Sequence, residues 1–171
     1  YVAGYSPTIS SATNETFAVG PGPTATPLIT VTDTPSTASI TAAGDIRIRI
    51  PASLAASWNT AVTLPTFGGS AAAKVASAVS YPDSQTLLID VDPIPFAAGD
   101  TLTISGLQLL SFNSESSGSL ELSWDGGTAY GSVDDKLYTI VDPNPPTITD
   151  RSTMDFNTDG FIDAVHIQFS K

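Results

Sequence analysis

The stretch Gly44-Asp45-Ile46-Arg47-Ile48-Arg49-Ile50-Pro51 decides the fold class of this sequence. Successive side chains of a β-strand point to opposite faces, so the three isoleucines share one face and the two arginines share the other. The pattern therefore predicts a strand with one face in a core and one face in water. Because the chain is acidic, we expect the arginines to pair with carboxylates on neighbouring strands.

Similar short apolar segments recur on both sides of this stretch and are separated by Gly, Pro, Asp and Ser. Asp125-Gly126-Gly127 lies between two such segments and is a strong hairpin signal. About nine strands at fairly even spacing predict an all-β fold, an antiparallel immunoglobulin-like β-sandwich. One short helical turn is expected over residues 51–58, where proline suits the first helical position and Leu54 and Trp58 are four residues apart.

The sequence predicts four parts along the chain. Residues 1–15 form an extended N-terminal arm, and residues 16–141 form the β-sandwich. Residues 142–150 form a stiff linker, because Asp142-Pro143-Asn144-Pro145-Pro146 favours an extended backbone. Residues 151–171 hold a cation-binding loop and a terminal strand. The chain begins at Tyr1 rather than Met, as expected of a processed or excised polypeptide.

The predicted cation-binding loop is Asp155-Phe156-Asn157-Thr158-Asp159-Gly160-Phe161-Ile162-Asp163. Oxygen-bearing side chains recur at every second residue, a glycine follows the third, and a carboxylate comes four residues after that third side chain. Calcium takes six to eight oxygen ligands at about 2.3–2.6 Å, and a tightly curled loop with this spacing can supply them. The predicted ligands are the side chains of Asp155, Asn157, Asp159 and Asp163 and the backbone carbonyl of Phe161.

This loop resembles the calcium loops of EF-hands and of dockerin repeats. It departs from them at the twelfth position, where an EF-hand has a bidentate glutamate and this chain has His166. A further carboxylate would then have to come from Asp150 or from Asp134-Asp135, and we expect weak calcium affinity, on the order of 10⁻⁴–10⁻³ M. The alternative is an Asp/Asn/Gly-rich turn that holds no ion. A true dockerin is not expected, because a strand rather than a helix follows the loop.

The terminal segment, residues 164–170, alternates as a strand in which Val165, Ile167 and Phe169 form an apolar row. Such a row must be covered, and the strand must pair. It could return to its own sheet, start a further domain, or complete a sheet in another copy of the chain. In the last case strand donation would join subunits head to tail.

Composition narrows the classes of partner. The chain has 171 residues, 6 Lys+Arg against 17 Asp+Glu, and a formal net charge of −11. Such a surface repels phosphate backbones and anionic lipid heads, so binding to nucleic acid or to a membrane surface is not expected. Membrane insertion is not expected either, because no apolar run approaches the ~20 residues needed to cross a bilayer. No cysteine is present, which rules out disulfides and thiolate sites. Charged residues make up only 13% of the chain, and hydroxyl side chains are abundant. This composition favours an extracellular, cell-surface location.

The segments Ala42–Pro51, Pro51–Trp58 and Phe96–Leu107 resemble the cohesin-like and immunoglobulin-like sandwiches repeated in bacterial surface proteins. The resemblance extends over residues 16–141. It implies a spacer, adhesion or docking module of an extracellular array, whose partners are other copies of the chain or adjacent domains. We therefore expect a structural subunit of a surface fibre or array, joined through strand pairing and rigidified by calcium.

No catalytic site is predicted, since His166 is the only histidine and no nucleophile-elbow motif is present. The chain is therefore not expected to be an enzyme. The alternative function is a carbohydrate-binding or adhesin module with glycans as partners. Trp58, Trp124, Tyr81 and Tyr130 are the aromatic candidates for a sugar platform. The two tryptophans are expected in the core, which leaves Tyr130 as the freest of the four.

Overall fold

The computed structural model describes residues 6–92, 94–144 and 146–170, and their regular structure is almost entirely β. The first of two units, residues 1–141, contains one 3₁₀ turn (Ala72–Lys74) and the strands β1 (Thr8–Ser11), β2 (Glu15–Ala18), β3 (Thr24–Ala25), β4 (Ile29–Thr32), β5 (Ile46–Arg49), β6 (Ser57–Trp58), β7 (Thr66–Gly68), β8 (Val75–Asp83), β9 (Thr86–Val91), β10 (Thr101–Ser105), β11 (Gln108–Leu110), β12 (Ser116–Gly118), β13 (Glu121–Ser123), β14 (Ser132–Val133) and β15 (Tyr138–Val141). The second unit, residues 142–171, contains β16 (Ile148–Met154) and β17 (Ala164–Phe169). The predicted all-β class is confirmed.

The strands of the first unit form a sandwich-like set of sheets. A five-stranded sheet has the order β14-β13-β5-β9-β8, and a four-stranded sheet has the order β1-β4-β10-β7. Two three-stranded sheets have the orders β12-β15-β2 and β3-β11-β6. The pairs in these sheets are antiparallel with one exception, because β2 and β15 run parallel, with Glu15 opposite Tyr138 and Ala18 opposite Val141.

One apolar core fills the first unit. The alternation in β5 places Ile46, Ile48 and Ile50 in this core, as predicted, while the intervening arginines lie partly exposed. The four-stranded sheet contributes a matching set of fully buried side chains: Ile29, Val31, Leu102 and Ile104. Each strand thus turns one row of side chains inward, as the period-two patterns in the sequence indicate.

The two arginines of β5 have different partners. Arg49 donates a hydrogen bond from Nε to Glu121 Oε2 at 2.7 Å, and its Nη2 forms an ion pair with the same oxygen at 2.6 Å. The predicted cross-strand pairing is therefore confirmed for this residue. Arg47 instead donates from Nη1 to the carbonyl oxygen of Gly44 at 3.1 Å. Its expected carboxylate partner is replaced by the backbone of the turn before its own strand.

The helical turn is wrongly placed by the sequence. In residues 51–58 a single turn, closed by a hydrogen bond from Leu54 N to Pro51 O at 3.0 Å, leads into strand β6. Trp58 pairs with Leu109 of β11 instead of continuing a helix. Leu54 and Trp58 are both buried as predicted. Their burial alone explains why both residues are apolar. Their spacing of four residues therefore did not indicate a helix.

The predicted N-terminal arm also needs correction over its described part. Residues 8–11 form strand β1, which pairs with β4 along four residues, and Ile9 is buried in the core. Ser11 is tied down further, since its N and Oγ donate to the Asp134 carboxylate at 2.9 and 2.5 Å. The segment is therefore an integral strand of the sandwich. Residues 1–5 of the predicted arm lie outside the described residues.

In the second unit, β16 and β17 pair as an antiparallel hairpin. Strand β16 begins at Ile148, so the last three residues of the predicted linker, 148–150, belong to the hairpin. Pro145 of that linker lies outside the described residues. Residues opposite each other in a hairpin share a face. One face carries an apolar row, and the other carries Ser152, His166, Asp150 and Gln168.

Candidate metal centre

The predicted calcium loop is the turn that joins β16 to β17. Residues 155–163 follow the Met154–Ala164 pair, and Asp163 N donates to Met154 O at 2.8 Å, which closes the base of the loop. All nine loop residues are exposed. The structure thus brings the five predicted ligand residues into one exposed turn held at both ends by a strand.

Two carboxylates hold this turn together through backbone N–H groups. Asp155 Oδ2 accepts from Gly160 N at 3.0 Å, and Asp163 Oδ2 accepts from Phe156 N at 2.7 Å. The first bond ties the start of the loop to its sixth residue, and the second ties the end of the loop to its start. Among the described residues, neither carboxylate has a hydrogen bond on its second oxygen. These two oxygens are open to a further ligand.

The middle of the loop turns sharply around Asn157 and Asp159. Asn157 Oδ1 accepts from Asp159 N at 3.1 Å, and Asp159 Oδ1 accepts from Phe161 N at 2.9 Å. Thr158 and Gly160 take left-handed backbone conformations, with φ of 59° and 90°. Glycine adopts such a φ without steric cost, which explains its place after the third polar side chain.

The three additional carboxylates that the sequence offered as ligands lie away from the loop or have other partners. Asp150 lies four residues before the end of β16, about 13 Å along the strand from the loop at the usual rise per residue, so it does not complete this site. Asp134 is buried and also accepts from Lys136 N at 3.0 Å, in addition to its bonds with Ser11. Asp135 pairs with Lys136 Nζ at 2.7 Å. His166 lies exposed in β17, opposite Ser152.

The donor set can be compared with what calcium requires. Every candidate ligand atom is an oxygen, which suits a hard cation, and the spacing along the turn suits a single ion. Within the described residues, however, no three Asp, Glu or His side chains are already gathered around one point. The carboxylates instead accept backbone N–H bonds, and side-chain rotations would be needed to converge them. The residues fit calcium in chemistry and order along the loop.

The aromatic candidates for a sugar platform are all engaged. Trp58 is buried as predicted, and Trp124 is partly buried against the core. Tyr81 donates from its hydroxyl to Val62 O at 2.6 Å, and burial raises the pKa of this tyrosine to about 12. The guanidinium of Arg49 covers the Tyr130 ring at 3.7 Å from its centroid. The ring expected to be freest therefore has one face occupied.

The sequence did not reveal a groove in the first unit, of about 620 Å³, near this arginine. Its polar lining residues are Arg49, Ser57, Gln85, Ser111, Asn113 and Glu121. They come from distant parts of the chain, and no local motif marks them. Only the expected cross-strand pairing of Arg49 pointed toward this place.

In comparisons with known proteins, no family model and no curated protein matches the sequence. A search of the described helical structure finds no helix with the length and apolar character needed to cross a bilayer.

Proposed function

We propose that this chain is a structural module of an extracellular surface array, in which the β16–β17 hairpin joins a neighbouring β-domain and calcium stiffens the hairpin's turn. The neighbour is another copy of the chain or an adjacent domain of a tandem array. The observation that carries the proposal is the exposed apolar face of the hairpin.

Four large apolar side chains lie on that face. Ile148 opposes Phe169, and Val165 and Ile167 continue the row along β17. Their exposed fractions are 55, 54, 63 and 47%. A two-stranded hairpin is marginally stable alone and needs a further layer against its apolar face. By the same register, Arg151 opposite Ile167 and Thr153 opposite Val165 share this face. The apolar row is therefore formed by β17 together with Ile148, and this row is suited to packing on another sheet.

The outer edges of the hairpin supply a means of attachment. In the described second unit, β16 and β17 pair only with each other, so each presents an unpaired row of backbone N–H and C=O groups. An incoming strand can extend such an edge through continuous main-chain hydrogen bonds. Strand addition of this kind satisfies the backbone groups of the edge, and packing of the apolar row against a sheet of the neighbouring domain covers its side chains.

Calcium at residues 155–163 would act on the same element. A bound ion would attract the side-chain oxygens of Asp155, Asn157, Asp159 and Asp163 and the Phe161 carbonyl oxygen. Drawing these groups together restrains the turn that sets the register of β16 and β17. A weak site, filled only at the calcium concentrations found outside cells, suits this role.

Calorimetry with the whole chain tests the metal part of the proposal. Calcium should bind with a dissociation constant on the order of 10⁻⁴–10⁻³ M. The double variant Asp155→Asn/Asp159→Asn keeps the size of both side chains and should remove the heat of binding. The matched control Asp83→Asn/Asp92→Asn changes two exposed aspartates of the first unit and should keep it. If no heat of binding is seen up to several millimolar calcium, the loop is an Asp/Asn/Gly-rich turn that holds no ion.

Analytical ultracentrifugation tests the joining role. With calcium, the chain should associate in a concentration-dependent way, and Ile167→Asp should weaken this association by placing a charge in the apolar row. The exposed leucine of the first unit, replaced in Leu64→Asp, is the control. If the chain associates and Ile167→Asp associates as strongly as the unchanged chain, the hairpin is not the joining element.

A further inference from the structure

We propose that the groove at Arg49 and Glu121 is a binding site for an uncharged saccharide. This site is independent of the hairpin and of calcium. It takes up the alternative of a glycan-binding module, but with a set of residues different from the aromatic side chains considered in the sequence.

The groove has the size and the layering of a small-ligand site. Its volume of about 620 Å³ falls within the range of about 300–1,000 Å³ that is usual for such sites. Ile50 and Leu54, both buried, contribute apolar surface together with Ala52, Ala55 and Ala56. Small apolar side chains leave room for the C–H faces of a ring.

The polar wall is held rigidly by contacts within the first unit. Arg49 lies between Glu121, with which it forms a hydrogen bond and an ion pair, and the ring of Tyr130. Gln85 Nε2 donates to Ala56 O at 2.9 Å, while Gln85 O accepts from Trp58 Nε1 at 3.1 Å. A wall fixed in this way loses little conformational entropy when a ligand binds.

Several polar atoms of the groove remain available. The hydrogen bond and the ion pair of Arg49 both go to Oε2 of Glu121, and in the described structure no hydrogen bond reaches Oε1. The Asn113 amide and the Ser111 hydroxyl likewise have no hydrogen-bond partner among the described residues. The groove thus offers a carboxylate acceptor, an amide that donates and accepts, and a hydroxyl.

The charge of the groove selects among ligand classes. Its lining contains one guanidinium and one carboxylate, which neutralise each other. The chain as a whole has a net charge of −11, which repels anionic ligands. Mixed donors and acceptors over small apolar side chains match a molecule that carries hydroxyl groups and no charge. A neutral saccharide has this chemistry.

The test is an NMR titration of the ¹⁵N-labelled full chain with cellohexaose, xylohexaose and mannohexaose. At least one should shift the amide signals of residues 55–57 and 111–113, with saturation below about 10 mM. Asn113→Ala should weaken binding by about fivefold, as for one lost hydrogen bond. Ala52→Trp should fill the groove and abolish binding. Ala42→Trp changes another exposed alanine in a turn and should bind as the unchanged chain does.

Three outcomes would overturn the proposal. The first is that none of the three oligosaccharides shifts the groove signals. The second is that binding survives both Asn113→Ala and Ala52→Trp, which would place the ligand elsewhere. The third is that a neutral glycine-serine hexapeptide shifts the groove signals at least as strongly as the saccharides do, which would assign the groove to peptide. Circular dichroism of both variants establishes that each is folded before the comparison.

Discussion

The two units of this chain differ in how far their alternating apolar side chains are buried. In the first unit, Ile104 and its neighbours on the inner faces of the sheets are fully buried. In the second unit, the equivalent alternating row, with Ile167 at its centre, lies exposed. The same period-two pattern therefore built a complete core in one unit and an uncovered face in the other. Alternation specifies which face should be buried, but the number of strands decides whether it is.

The largest effect expected from this comparison comes from matched isoleucine truncations. Ile104→Ala should lower the free energy of unfolding by about 2–5 kcal/mol, because it leaves a cavity in a packed core. Ile167→Ala in the dilute, unassociated chain should change it by less than about 0.5 kcal/mol, as for an exposed site. Urea unfolding monitored by tryptophan fluorescence measures the first unit, and hydrogen exchange measures the hairpin. Equal losses at the two sites would mean that the hairpin face is already covered.

Within the first unit, the buried Asp134 and the exposed Asp135 are adjacent carboxylates with different surroundings. Asp134→Ala removes the acceptor for Ser11 N, Ser11 Oγ and Lys136 N. Leaving such donors unpaired should cost about 2–3 kcal/mol of unfolding free energy. The adjacent Asp135→Ala removes an exposed carboxylate paired with Lys136 and should leave stability close to that of the unchanged chain. Urea unfolding of both variants that gave similar losses would contradict a special role for Asp134.

The stability of the first unit should depend on pH through Asp100. Hydrogen bonds from Lys74 Nζ and Ala97 N lower the pKa of Asp100 to about 2. Because the folded-state pKa lies below the unfolded value, this carboxylate stabilises the first unit above about pH 4, and its contribution is lost as pH falls toward 2. After allowance for solvent screening, the loss should be roughly 1 kcal/mol. Unfolding free energies of the unchanged chain and Asp100→Asn, measured from pH 5 to pH 2, should therefore converge at the acidic end. Parallel curves would contradict the assignment.

The smallest effect is expected in the hairpin turn. Gly160 has φ of 90°, and a Cβ there would meet no atom within 4 Å, so Gly160→Ala tests backbone strain alone. Local opening of the turn should become easier by about 1 kcal/mol, seen as faster hydrogen exchange of the Phe161 amide. Gly22→Ala, in open space without a positive φ, is the control. No change at Phe161 would mean that the turn does not depend on this conformation.

Much of the first unit was predictable because its strands carry periodic signals. The isoleucines of β5, the strand containing Ile29 and Val31, and the hairpin around residues 125–127 were recognised from local pattern. The hairpin is confirmed by the pairing of Glu121 with Val133, although its loop is longer than the three-residue signal. Strands of two or three residues, such as β3, β6 and β14, contain too few residues for any period to appear.

The errors have a common cause in tertiary contacts. Residues 51–58 have helix-like spacing, but pairing of Trp58 with Leu109 overrides it. Residues 8–11 appeared irregular, but β4 and Asp134 bind them to the sandwich. The candidate loop was easier to locate, since all five predicted ligand residues lie within nine positions. The groove was not predictable, because its lining joins Arg49 to Glu121 and Asn113, which are far apart in sequence.

The parallel pairing of β2 with β15 has a mechanical consequence. Tension applied along the chain would pull β2 from its N-terminal end and β15 from its C-terminal end, in opposite directions along the shared axis. In the register from Glu15–Tyr138 to Ala18–Val141, the hydrogen bonds would then bear the load together in shear and would not open one after another. Under tension, the first unit would therefore resist unfolding through the β2–β15 pair. The hydrogen bonds from Ser11 to Asp134 would add resistance next to that pair.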